Sequence, residues 1–201
     1  MAESSVPLIA ILGATASGKH GMAFRLGERF PIEVVSVDSM KIYRGMDIGT
    51  AKPGSDQRQR LPHHMIDLIE PDEPYSAAQF GREARAAIRE VSGRGRIPFL
   101  VGGSGMYLRA LLGWIFPGPE GDLEIRKRLE AEAASLGVEA LHASLEKIDP
   151  GKAETIHRHD LKRIVRALEV FEVTGITLSC HQANHVRNVS GFGKPLLICL
   201  Q

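Results

Sequence analysis

Cysteine is scarce in this chain, charge of one sign is not in excess, and no apolar run is long. Its two cysteines, Cys180 and Cys199, are too few for a disulfide framework and lack the paired spacing of a structural zinc site. Lys plus Arg number 25 against 24 Asp plus Glu, a net charge of +1. No global field therefore draws in a nucleic acid, and any RNA partner must be held by a local basic face. The run Val6 to Leu12 is too short for a membrane span, and the opening Met1-Ala-Glu-Ser-Ser5 carries an acid and no basic flank, unlike a signal sequence. The expected setting is reducing and cytoplasmic. What is present, 201 residues with 43% hydrophobic and 24% charged side chains, 21 Gly and 11 Pro, excludes disorder and fibre and describes one or two globular domains with a real core.

Hydrophobic periodicity orders these residues into an α/β pattern. Pro7 to Leu12 is a continuous apolar run stopped by Gly13, the mark of a strand buried on both faces. Met22, Ala23, Leu26 and Phe30 recur at helical spacing, and Glu33 to Val37 turns back to β-branched residues. Ser39 to Pro74 is punctuated by Gly and Pro and predicts a long loop with a short strand near Met65 to Leu68. A helix is expected over Ser76–Val91, a buried strand over Ile97–Val101 and a helix over Ser104–Leu112. Asp122–Leu136, Val138–Ile148 and His159–Thr174 read as three successive helices with no strand among them, and Pro195–Leu200 as a returning strand. The expectation is a P-loop NTPase-like parallel sheet flanked by helices: an α/β core over 1–117, a helical insertion over 118–179, and a return to the core over 180–201.

Gly13-Ala-Thr-Ala-Ser-Gly-Lys19, between a predicted strand and a predicted helix, has P-loop spacing. Glycines let the backbone curl, successive N–H groups face an anion, and the lysine adds a full charge. A Ser or Thr hydroxyl normally follows that lysine to ligate Mg²⁺; here His20 stands instead, a poor ligand for so hard a cation. Asp38 and Ser39 follow the second strand, where a parallel sheet delivers side chains to its ligand crevice. The carboxylate could act as a general base, hold Mg²⁺ through water, or merely cap the following turn. Ser104, after Gly102-Gly103, could serve the same crevice or cap its helix. Cys180, His181 and His185 offer no fourth ligand for zinc, His63-His64 suits local hydrogen bonding, and Trp114 with Phe116 suits a hinge or core packing.

Several stretches together resemble the tRNA dimethylallyltransferase (tRNA isopentenyltransferase) family. In order they are Gly13 to Lys19, Val37-Asp-Ser-Met-Lys-Ile-Tyr-Arg-Gly-Met-Asp-Ile-Gly-Thr-Ala-Lys-Pro53, Pro62-His-His-Met-Ile-Asp67, Tyr75-Ser-Ala-Ala-Gln-Phe80, Leu100-Val-Gly-Gly-Ser-Gly-Met-Tyr107 and Arg163-Ile-Val-Arg-Ala-Leu-Glu-Val170. The resemblance implies transfer of a dimethylallyl group from dimethylallyl diphosphate to the exocyclic N6 of the adenosine next to the tRNA anticodon, with Mg²⁺ required; a monomer is expected. It implies that Gly13, Ala14, Thr15, Ala16, Ser17, Gly18, Lys19 and His20 bind the diphosphate and that Asp38 takes the proton from the attacking amine. Ser104, where the family usually has Thr, would touch the target nucleotide; Ala14 stands where it usually has Pro. Asp38, Ser39, Met40 and Lys41, with Arg126 and Lys162, Arg163, Ile164, Val165 and Arg166, match the stretches that grip tRNA. Lys162 and Arg166, four residues apart, would share a helix face.

Family members continue beyond Gln201. With that part absent and His20 after the lysine, the expectation is weak diphosphate binding and low or no transfer. Two other readings are a P-loop kinase of small metabolites, which needs the hydroxyl that His20 replaces, and a degenerate paralogue that binds tRNA without catalysis.

Overall fold

The computed structural model describes residues 7–185, 192–193 and 195–200; the opening Met1 to Ser5 and Val6 lie outside them. Along the chain run β1 (Ile9–Gly13), α1 (Lys19–Gly27), β2 (Ile32–Val37), α2 (Ser55–Arg60), β3 (His63–His64), α3 (Ala77–Gly93), β4 (Ile97–Gly102), α4 (Gly105–Leu111), α5 (Leu123–Leu136), α6 (Val138–Ile148), α7 (Pro150–Ala153), α8 (Leu161–Thr174), α9 (Leu178–Asn184) and β5 (Leu196–Leu200). The described residues divide into two compact units, one up to Trp114 together with those from Phe192 on, the other from Ile115 to His185.

The first unit is built on a five-stranded sheet in the order β3-β2-β4-β1-β5, parallel at every pairing. β1 and β4, covered on both faces, read as apolar runs. Ala10, Val35, Val37 and Leu100 point to a core completed by Phe80, Ala84 and Ile88 of α3 and Leu108 and Leu111 of α4. Ile11, Val34, Phe99 and Val101 point the other way, against Ala23, Phe24 and Leu26 of α1. This is the P-loop NTPase-like architecture, and it lines up the carboxyl ends of β1, β4 and β2 as neighbours.

The loop from Ser39 to Pro74 departs from expectation. It holds α2, and its strand is β3, not Met65 to Leu68. Met65 and Asp67 have φ of 62° and 54°, left-handed conformations that end an extended run. What orders the loop is an ion cluster around the buried Lys52. Asp67 accepts from Lys52 at 2.7 Å and Arg58 at 2.6 Å, and Lys52 also donates to the Tyr43 carbonyl at 2.6 Å. Burial raises the Asp67 pKa, but these two cations outweigh it and hold the carboxyl below its ordinary range.

The second unit holds five helices among the described residues, not three, around Leu129, Leu141, Leu145, Ile164 and Leu168. The extra ones are too short to register a helical period: α7 is started by Pro150 and capped by Asp149, and α9 is capped by Thr177. The boundary expected at residue 179 falls inside α9, which packs on α7 and α8.

Candidate active site

The carboxyl ends of β1, β2 and β4 bring three of the expected groups to one edge of the sheet. After β1 the chain curls through Ala16 and Gly18, both left-handed at φ 65° and 84°. Gly18 is the N-cap of α1 and has no side chain to satisfy the first-turn N–H groups, which leaves them for an anion. Gly13 is required by close approach: a Cβ there would lie 2.6 Å from the Leu200 carbonyl oxygen and 2.7 Å from Ser17 Oγ. Lys19 folds over its own loop, its Nζ donating to the Ala14 carbonyl and, at 3.3 Å, to Ser17 Oγ.

Asp38 leaves the end of β2 as the cap of the following turn. Its Oδ1 accepts the Met40 N–H at 2.9 Å, the turn cap; among the described residues no protein donor reaches Oδ2. Ser104 is the N-cap of α4 by position, but its hydroxyl does not cap the helix. It accepts the Ser39 N–H at 2.9 Å and donates to Ser39 Oγ at 3.2 Å. With Gly103 and Ser104 N–H groups on the Val37 carbonyl at 3.2 and 3.1 Å, this ties the ends of β2 and β4 together and fixes Asp38 beside the phosphate loop.

His20 Nε2 lies 2.5 Å from Lys41 Nζ, and the His20 ring stacks toward His63 at 6.4 Å. Burial, and then the charge of Lys41, push the His20 pKa down to about 4, so the imidazole is neutral at pH 7. Lys41 was expected among tRNA-contacting residues. Its side chain is only 1% exposed, because the turn after Asp38 points it inward to His20, whereas Ser39 and Met40 are exposed. Sequence reasoning passed over the Lys41–His20 pairing; a lysine set between Met40 and Ile42 was its only signal. It also passed over Tyr107, which stacks on Phe80 at 4.2 Å. Burial, with Tyr43 and Asp38 adding to it, pushes the Tyr107 phenol up to about 12.

In the helical unit the basic residues separate into two kinds. Arg126 and Arg166 both bind the fully buried Glu169, through Nε at 2.7 Å and Nη1 at 2.6 Å respectively, and Arg166 Nη2 also donates to the Pro119 carbonyl at 2.8 Å. Lys162 and Arg163 are exposed; Arg163 pairs with Asp160 at 3.3 Å. Ile164 and Val165, expected to meet tRNA, are instead core side chains, since they form the apolar face of α8. His181 stacks on Phe116 at 4.5 Å, and Cys180 Sγ accepts from Asn184 at 3.3 Å.

A family model described as IPP transferase matches residues 41–200. A tRNA dimethylallyltransferase 2 of Geotalea uraniireducens (strain Rf4) is 48% identical over 199 residues, 99% of this chain and 63% of that protein. A tRNA dimethylallyltransferase of Halorhodospira halophila (strain DSM 244 / SL1) is 51% identical over 175 residues, 87% of this chain and 56% of that protein. Among solved structures, a eukaryotic dimethylallyltransferase captured acting on tRNA superposes with a TM-score of 0.82 at 28% identity, over 98% of this chain and 48% of that one. The tRNA isopentenylpyrophosphate transferase of Bacillus halodurans gives 0.54 at 46% identity, over 84% and 56%. The chain thus spans between 56% and 63% of the length of these two curated relatives.

Proposed function

The chain belongs to the IPP transferase family, and from that premise we propose that it transfers a dimethylallyl group from dimethylallyl diphosphate to N6 of the adenosine beside the tRNA anticodon. The observation that carries this reading is the convergence of Lys19, Asp38 and Ser104 at the ends of three neighbouring strands. The reaction needs an anion cradle and a base at one place. Diphosphate leaves well only when its charge is matched, and an exocyclic adenine amine is a weak nucleophile.

In this reading the loop Gly13 to His20 holds the diphosphate. N6 attacks C1 of the dimethylallyl group, the C1–O bond breaks with its electron pair leaving on diphosphate, and the N6 proton passes to Asp38 Oδ2. Oδ1, fixed by the Met40 N–H, aims the carboxylate. The Ser104 hydroxyl touches the target nucleotide. The stacked base must be drawn out and the surrounding loop gripped by backbone charges, for which exposed Lys162 and Arg163 are suited. A monomer acting in the cytoplasm on tRNA completes the proposal; no helix among the described residues is long and apolar enough to cross a membrane.

The Mg²⁺ that the family resemblance implies does not fit the residues at this loop. The hydroxyl that would ligate it is replaced by His20, whose Nε2 is engaged by a lysine ammonium. Among the described residues no three His, Cys, Asp or Glu side chains are grouped to hold a metal, and Mg²⁺ asks for oxygen donors in near-octahedral array.

A single-turnover assay with dimethylallyl diphosphate and an unmodified anticodon stem-loop tests the proposal. Prenylated adenosine with stoichiometric diphosphate release is expected. Stem-loop binding with no product favours the non-catalytic reading, and ATP-dependent phosphorylation of a small metabolite favours the kinase.

A further inference from the structure

Two lysines with little exposure lie near the carboxyl end of the sheet. Lys19 is 8% exposed and Lys41 1%, and the charge of Lys19 acts on Lys41. Among the described residues no carboxylate pairs with either ammonium, and Asp38 is the one acid whose charge acts on Lys41. Lys41 is held instead by a neutral imidazole, with His20 Nε2 at 2.5 Å from its Nζ. Behind His20 stands His63, whose Nδ1 meets the Leu61 carbonyl at 2.7 Å and whose buried Nε2 has no partner among the described residues. Like charges buried together without an anion are unfavourable. Such a pair is stabilised when a polyanion arrives between them.

We propose that Lys41, carried on His20, supplies at this loop the positive charge that P-loops commonly take from a divalent metal, so that diphosphate is bound here without Mg²⁺. The inference rests on the diphosphate-binding reading of Gly13 to His20. His20 stands at the position of the metal-ligating hydroxyl, and its ring nitrogen presents an ammonium there. An ammonium is a compact charge with three donors, suited to phosphate oxygens. It would also repel a divalent cation from the same place. The chemical class recognised is a diphosphate, free or as its prenyl ester.

Titration calorimetry with inorganic pyrophosphate, in EDTA and then with Mg²⁺, tests this on the full chain. The unaltered protein is expected to bind in both, with affinities within about threefold of each other. Lys41→Gln is expected to bind about 10- to 100-fold more weakly in EDTA, and Mg²⁺ is not expected to restore it, because His20 still offers no hydroxyl. His20→Thr, which restores a hydroxyl and frees Lys41, is expected to become metal-dependent. Binding by the unaltered protein only with Mg²⁺ overturns the inference and leaves the loop reading intact. So does a Lys41→Gln protein that binds as well as the original in EDTA. No binding under either condition overturns the loop reading itself. Should Lys41→Gln not fold, the metal dependence of the unaltered protein and of His20→Thr decides the matter.

Discussion

Arg126 clamps the buried carboxylate of Glu169 at two points, Nε to Oε1 at 2.7 Å and Nη2 to Oε2 at 3.1 Å. Arg166 and the Asp122 N–H complete the shell at 2.6 and 2.8 Å. Burial raises the Glu169 pKa, but the two arginines and the N–H more than offset it and hold it low. A carboxylate so enclosed fixes the start of α5 against α8. Arg126→Ala is therefore expected to destabilise the helical unit by about 1–3 kcal/mol, read from urea unfolding, whether or not tRNA is present. An unchanged midpoint with weakened stem-loop binding would instead make Arg126 a purely RNA-facing residue.

Lys162 and Arg163 carry the opposite expectation. Both are exposed at the start of α8, and the Arg163–Asp160 pair at 3.3 Å lies on the surface, where such pairs add little. Alanine at either position should leave stability within about 0.5 kcal/mol. Each should lower the slope of log K against log salt for a stem-loop by about 0.7 to 0.9. A slope identical to that of the unaltered chain would remove them from the RNA interface.

The main strands were legible because burial on both faces leaves an apolar run in Ile9 to Leu12 and because Val34, Val35 and Val37 supply β-branched residues in the second strand. The phosphate loop was legible because backbone curvature demands Gly13 and Gly18 at fixed spacing. Contacts made by side chains distant in sequence were not legible. The Lys-x-x-x-Arg spacing of Lys162 and Arg166 suits a solvated face or a buried clamp, and only the 0% exposure of Glu169 tells Arg166 from Lys162. Lys41 reads as a surface residue in a loop until the turn after Asp38 shows it facing His20, 21 residues earlier. Gly102 reads as the entrance to a helix, yet a Cβ there would overlap the Val37 backbone, an approach that no local pattern records.

Asp38→Asn separates the structural and chemical duties of that side chain. The amide oxygen can still accept the Met40 N–H, so the turn after β2 is kept and thermal stability should stay within about 0.5 kcal/mol. Loss of the base should lower single-turnover prenyl transfer by about 10²- to 10⁴-fold while pyrophosphate affinity stays close to the original. Full-rate transfer by Asp38→Asn would show that the proton leaves N6 by another route.

The depressed pKa of His20 makes stability depend on acidity in a definite window. The folded value is about 4 against 6.5 for the free side chain, so below pH 6.5 the unfolded chain takes up a proton that the folded chain refuses. Stability from this group is complete above pH 6.5, declines as the pH falls toward 4 and levels off below. The total is at most about 3 kcal/mol. His63, lowered chiefly by burial, adds in the same direction. Glu33, Asp67 and Glu169 act lower: each is held below its ordinary pKa of 4.5, 3.8 and 4.5, so their contribution is lost only as the pH falls beneath those values. Urea midpoints measured from pH 7 to pH 5 should therefore fall for the unaltered chain and fall less steeply for His20→Gln, whose amide does not titrate. Parallel curves for the two proteins would place the His20 imidazole in contact with water instead of beneath the phosphate loop.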